Sequence, residues 1–127
     1  MKERNTTAGI VRQDGRLLIA KRTEGGPVGG LWEFVGGKCR NCETPEEALV
    51  REFEEELGIP VSVGKLLATH TFENNETRYH LHAYEVKRLD ARPMTLSVHT
   101  EIAWVSRSEL DRYPFPPSDQ AIIAQLF

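Results

Sequence analysis

Three carboxylates, Glu52, Glu55 and Glu56, stand at i, i+3 and i+4 within Arg51-Glu52-Phe53-Glu54-Glu55-Glu56-Leu57-Gly58. A helix turns by about 100° per residue, so that spacing gathers them on one narrow face. Like charges so close repel, and the cluster costs stability unless something positive sits on it. A hard divalent cation, Mg²⁺ or Mn²⁺, is the natural partner for carboxylate oxygens. Taken alone, the trio also fits a solvated acidic helix face. Arg51 lies four residues before Glu55 and can pair with it.

Two cysteines, Cys39 and Cys42, form a C-x-x-C pair. A structural zinc site normally needs four ligands, and no second cysteine pair exists. His80 and His82 would have to complete one. Two free thiols in a surface loop are the expectation. The two histidines share one face of a strand, and His82 is kept as a candidate substrate contact beside the commoner structural role. Asp119 follows a rigid Phe115-Pro116-Pro117 turn. It is either a helix cap or a group that reads a ligand's edge. An ionised carboxylate there would accept hydrogen bonds without donating any.

The elements that must position these residues can be read along the chain. Thr7–Val11 and Arg16–Arg22 are apolar-rich strands joined by Asp14-Gly15, a hairpin signal. The 25–30 stretch, rich in glycine, must be a loop. Leu31–Val35 reads as a short strand broken by Gly36-Gly37. Thr44-Pro45-Glu46-Glu47 opens a helix with an N-cap, a proline at N1 and a capping box. Its predicted buried stripe is Leu49, Val50, Phe53 and Leu57, with the carboxylates mostly on the opposite side and Gly58 as the stop. Val61–Phe72 and Arg78–Val86 read as strands around a turn at 73–76, and Ile102–Val105 as another. Ser106–Leu110 looks like a short helical turn. Ser118 is the expected cap of a last helix that buries Ile122, Ile123 and Leu126. Strands and helices mix without βαβ alternation, which predicts an α/β fold with a mixed sheet between helices.

The chain has 127 residues, a formal net charge of −3, 39% hydrophobic and 28% charged residues. These values suit a single domain, residues 1–127, with one core. The negative balance argues against a polymeric nucleic-acid partner held through phosphates. It leaves room for a nucleotide whose charge is met by bound metal. No apolar run approaches membrane-spanning length and the N-terminus has no signal-peptide core, so no membrane partner and a cytoplasmic location are expected. Monomer and homodimer both stay open.

The spacing around the trio is G-x5-E-x7-R-E-U-x-E-E-x-G-U, with U apolar. Gly37, Glu43, Arg51, Glu52, Phe53, Glu55, Glu56, Gly58 and Ile59 fill every fixed position. This resembles the Nudix box of the MutT-type hydrolases. Lys21-Arg22, Leu31-Trp32-Glu33-Phe34 and Phe115 to Asp119 also resemble segments of that branch, so the likeness spans nearly the whole chain. It implies an α/β/α sandwich and metal binding by Glu52, Glu55, Glu56 and the Gly36 carbonyl. It further implies a general base at Glu52 or Glu55, a phosphate contact at Arg22, and a base-reading group at Asp119. Arg51 is read as a partner that orients the carboxylates, and Glu43 as a residue that holds the loop. His99 and Glu101 fall where relatives often add a late glutamate ligand, and Val98 takes the place of one such glutamate. Val35 stands for the usual proline, Arg40 for the usual glutamate, and Cys42 for a glycine.

The expected activity is a Mg²⁺-dependent (or Mn²⁺-dependent) nucleoside triphosphate pyrophosphohydrolase. It would convert a (d)NTP and water to the monophosphate and pyrophosphate. The substrate is expected among oxidised nucleotides such as 8-oxo-dGTP, or CTP and modified dCTP. A catalytically silent nucleotide-binding module and a nucleotide-sugar or ADP-ribose pyrophosphatase are the alternatives.

Overall fold

A computed structural model describes residues 1–127. Its elements are β1 (Lys2–Gln13), β2 (Arg16–Arg22), β3 (Trp32–Glu33), α1 (Pro45–Leu57), β4 (Val61–Asn74), β5 (Thr77–Arg88), β6 (His99–Val105) and α2 (Pro117–Leu126), with a 3₁₀ turn at Arg107–Arg112 before α2. Asp14-Gly15 turns β1 into β2 with φ of 53° and 74°, the left-handed pair that a two-residue hairpin loop requires. Asn75-Glu76 does the same between β4 and β5, at 49° and 62°.

The six strands form one mixed sheet in the order β3-β2-β1-β5-β4, with β6 also paired to β2. β1 and β5 run parallel, from Lys2↔Thr77 to Val11↔Val86, and every other pairing is antiparallel. β3 is shorter than the predicted Leu31–Val35. The chain leaves β2 after Glu33, and the Phe34 N–H turns to the Asp119 side chain instead of a strand partner. Residues 35–39 then run beside β1. Gly9 N–H reaches Val35 O at 2.7 Å, Thr7 N–H reaches Gly37 O at 2.9 Å, and Cys39 N–H reaches Asn5 O at 2.9 Å. This side pairing carries Gly36-Gly37 onto the sheet.

α1 begins with the predicted capping box. Glu47 N–H donates to Thr44 Oγ1 at 3.1 Å, and Thr44 N–H donates to Glu47 Oε1 at 2.9 Å. It ends at Gly58, whose φ is 66°. The buried stripe differs from the predicted one in two ways. Val50 is 38% exposed and Ala48 takes its place. Glu56 lies inside the stripe at 6% exposure, because position 56 adjoins Leu57 and follows Phe53 by three residues. The carboxylate trio therefore borders the buried face of α1 rather than opposing it. α2 starts two residues earlier than expected. Pro116 is its N-cap and Pro117 its first residue, so Ser118 lies inside the helix and caps nothing. Proline at N1 loses no needed N–H and arrives with a helical φ.

Each helix covers one face of the sheet. Leu49, Phe53 and Leu57 of α1 pack on Val11, Leu18 and Val86. Ile122 of α2 packs with Ile10, Ile19, Leu81 and Phe115 on the other face. Each such aliphatic or aromatic side chain contributes about 1.5–3 kcal/mol by leaving water. The helix–sheet–helix layering is the one expected.

Candidate active site

At one end of the sheet, the C-terminal half of α1, the 35–39 segment, the end of β2 and the start of α2 enclose a cleft of about 820 Å³. Glu52, Glu55, Glu56 and Gly36 line it, and so do Arg22 and Asp119. At Gly36 only glycine fits, and at Gly37 a larger residue would displace the Glu52 carboxylate. A Cβ on Gly37 would stand 2.7 Å from the Glu52 carboxyl carbon, and one on Gly36 would run into the Thr7 carbonyl. Thr7 Oγ1 donates to Gly37 O at 3.0 Å, which locks the loop to β1.

Arg51 lies beneath the carboxylates as a four-way tie. Its Nε is 2.7 Å from Glu43 Oε2, and its Nη1 is 2.7 Å from Glu52 Oε1 and 3.2 Å from Glu55 Oε2. Its Nη2 donates to Lys38 O at 3.1 Å. The hydrogen bond from Arg51, helped by the Arg40 N–H, holds the Glu43 carboxyl down at about 2. Glu43 thus stays ionised and ties the loop to the helix. Arg51 pairs with Glu55, as the spacing suggested, and with Glu52 as well.

Glu56 is the buried member. Burial raises its carboxyl to about 9, with the neighbouring Glu52 and Glu33 carboxylates pushing the same way and Arg22 opposing. Its Oε1 lies 3.4 Å from Arg22 Nη1, and the same guanidinium is 3.6 Å from Glu33 Oε2. The donor set fits a hard divalent cation. It offers several carboxylates and a side-chain-free backbone loop.

Asp119 departs from the expectation of an ionised acceptor. It is 7% exposed, and the Phe34 N–H donates to its Oδ2 at 3.3 Å. Burial, then the Glu33 charge, raise its carboxyl to about 8, against the pull of that hydrogen bond. That shift favours the protonated carboxyl, which both donates and accepts. It occupies the third residue of α2, so it is not the helix cap.

His82 lies off the cleft. Strand alternation turns Leu81 into it and His82 to the opposite face, where its Nε2 is 3.1 Å from Asn5 Oδ1. His80 is held by Glu3 at 2.9 Å. The two cysteines are free, Cys39 half-buried and Cys42 exposed, and Cys42 takes the left-handed φ of 64° that a glycine would adopt more readily. Trp32 and Phe34 are buried in the core, and Phe34 also forms part of the cleft wall. Glu101 points away, paired with Lys21 at 3.7 Å. Two cleft groups had no clear sequence signal. Glu33 is hidden between two aromatic residues, and Phe72 enters from β4, far along the chain.

A family model described as NUDIX domain matches residues 6–125. The chain is 39% identical over 119 residues to a CTP pyrophosphohydrolase of Escherichia coli (strain K12), covering 94% of this chain and 87% of that one. It is 31% identical over 127 residues to an 8-oxo-dGTP diphosphatase of the same strain, covering 99% and 98%. The solution structure of the E. coli ORF135 protein superposes with a TM-score of 0.84 at 38% identity, covering 99% of this chain and 87% of that one. The filled motif, the fold and these matches agree: the chain belongs to the Nudix family and is a hydrolase of MutT type that acts on a phosphoanhydride bond.

Proposed function

We propose that the protein is a Mg²⁺-dependent nucleoside triphosphate pyrophosphohydrolase that takes a cytidine triphosphate or an oxidised purine triphosphate to its monophosphate and pyrophosphate. The observation that carries this reading is the set of groups that line this cleft together. The carboxylates of α1 and the Gly36-Gly37 loop line it, and so do buried Asp119, Phe34 and Phe72. A nucleotide laid along it puts its phosphates on the acidic end and its base against Asp119.

A divalent ion bound there would supply Lewis-acid activation of the phosphate and a more acidic water. Glu52, Glu55, Glu56 and the Gly36 carbonyl would hold it. Among the chain's own groups, Glu52 or Glu55 accepts the proton of the attacking water, and Arg51 keeps both carboxylates aimed. Arg22 is set beside the ligand Glu56, within reach of a phosphate. Arg4 and Lys38 also line the cleft and are in no ion pair, so they are further candidates for phosphate charge. A protonated Asp119 offers one donor and one acceptor. That pair matches N3 and the N4 amino group of cytosine, and equally O6 and N7–H of 8-oxoguanine. The reading rests for its substrate class on the two relatives named above and on this match.

The test is turnover of CTP, dCTP, their 5-modified forms, 8-oxo-dGTP and dGTP with Mg²⁺, read as pyrophosphate against orthophosphate. Pyrophosphate release is expected, and a folded Glu55→Gln variant is expected to lose turnover by orders of magnitude. Orthophosphate as the product, or no turnover on the whole panel, would overturn the reading.

A further inference from the structure

Behind the acidic end of the cleft lies a buried group that the proposed chemistry does not use. His99, at the start of β6, has a fully buried side chain. Its Nε2 is 2.9 Å from Glu33 Oε2 and 3.8 Å from Glu56 Oε1. These are the same two carboxylate oxygens that Arg22 Nη1 approaches at 3.6 and 3.4 Å. Glu33, Glu56 and His99 form the cluster in which carboxylate and imidazole donor atoms lie within 4.8 Å of one another. His99 Nδ1 is buried without a partner.

Three neighbouring strands build this arrangement. His99 pairs with Arg22 across β2 and β6, and a β-bulge between Lys21 and Arg22 re-aims the strand there. Glu33 sits on the other edge of β2, opposite Ala20. Glu56 comes down from α1. The imidazole has one favourable way to sit. A proton on Nδ1 would be buried and unpaired, at a cost of about 1–3 kcal/mol. A proton on Nε2 instead points between two carboxylates.

We propose that His99 is a positioning residue for Glu56, acting through Glu33 and Arg22. The inference rests on reading Glu56 as a metal ligand. His99 satisfies Glu33, so the Arg22 guanidinium can be shared between Glu33 and Glu56 rather than drawn wholly to Glu33. Glu56 Oε1 is then held on the protein side. That hold on one oxygen sets how the Glu56 carboxylate is turned toward the cleft it lines. Without His99, Arg22 moves to the unsatisfied Glu33, and Glu56 loses its set orientation.

The experiment is Mn²⁺ titration, followed by electron paramagnetic resonance without substrate. It compares the wild-type protein with His99→Ala, His99→Gln, Glu33→Gln and the double variant His99→Ala/Glu33→Gln, each checked for folding by circular dichroism. His99→Ala is expected to weaken Mn²⁺ binding by about 10–100-fold, the usual effect of removing a group that orients a metal ligand. His99→Gln, whose amide N–H can reach Glu33, is expected to recover most of that loss. Glu33→Gln removes the charge that competes for Arg22, so it should cost little by itself and should restore much of the lost affinity in the double variant. Unchanged affinity in folded His99→Ala would overturn the proposal, as would equal loss in the Ala and Gln variants. Should His99→Ala fail to fold, His99→Leu, which keeps the volume and cannot donate, is read in its place, and unchanged affinity there overturns the proposal. A wild-type protein that binds no Mn²⁺ removes the ligand reading and this inference with it, whereas tight binding without nucleotide turnover strikes only at the proposed function.

Discussion

At the scale of single residues, the carboxyl of Asp119 separates recognition from architecture. Its carboxyl is raised from the ordinary value to about 8, chiefly by burial. A buried acid with a raised value binds its proton more tightly in the folded state than in the unfolded chain. Its contribution is therefore full below the ordinary carboxylate range and is lost as pH rises toward 8. Asp119→Asn keeps a donor and an acceptor and cannot ionise. The variant should be more stable than wild type at pH 9 and close to it at pH 5, as measured by melting temperature. Asp119→Ala should raise KM for the best nucleotide by about 1–3 kcal/mol equivalent and flatten base preference, with kcat changed far less. Unchanged base preference in that variant would leave Asp119 as a purely structural group.

At the scale of elements, α1 does most of the positioning. Its N-terminus is set by the Thr44–Glu47 box, and its C-terminal half presents the acids against the Gly36-Gly37 loop. Thr44→Ala leaves the Glu47 N–H without its cap, which costs about 0.5–2 kcal/mol. Denaturant unfolding should show that loss as a lower midpoint with an unchanged slope. The carboxylates lie two to three turns away, so Mn²⁺ affinity of the folded variant should match wild type. A shifted affinity would mean that the start of α1 and the acidic cluster are coupled more tightly than the Arg51–Glu43 tie explains. α2 is fastened differently. Gln125 exchanges two hydrogen bonds with the Thr69 backbone, and Asp119 accepts from Phe34 N–H, so one end of this helix is pinned to β4 and the other to the segment that follows β3.

At the scale of the whole molecule, the cleft gathers negative charge from several elements into one volume. Glu56 has its carboxyl raised to about 9 by burial and by Glu52 and Glu33. The linkage has the same sign as at Asp119. The metal-free protein should lose stability as pH rises from the ordinary carboxylate range toward 9. A divalent ion competes with the proton at Glu56 and binds only the folded state, so it stabilises more as pH rises. Melting temperatures with and without Mg²⁺ at pH 6, 7.5 and 9 should show a metal-induced increase that grows along the series. An increase that is the same at every pH would show that the ion does not meet Glu56.

The acidic end of the cleft was legible in the residue order because it is local. Glu52, Glu55 and Glu56 share a helix face through spacing alone, Arg51 reaches Glu43, Glu52 and Glu55 from the same short stretch, and the helix carries its own start and stop signals. The two hairpin turns, the layering and the Gly36-Gly37 loop were legible for the same reason. Tertiary structure decided everything that depends on burial or on strand pairing. Periodicity placed the acids opposite the apolar stripe, but packing against the sheet drew Glu56 into it. Strand parity put His82 on the far face and Leu81 in the cleft. Glu33, Phe72 and His99 joined the site or its support only when β3, β4 and β6 came to lie in one sheet. Asp119 was a visible candidate, yet its charge state was not. A carboxyl's proton is set by how much water and which charges surround it, and those are properties of the folded chain, not of the residue's neighbours in sequence.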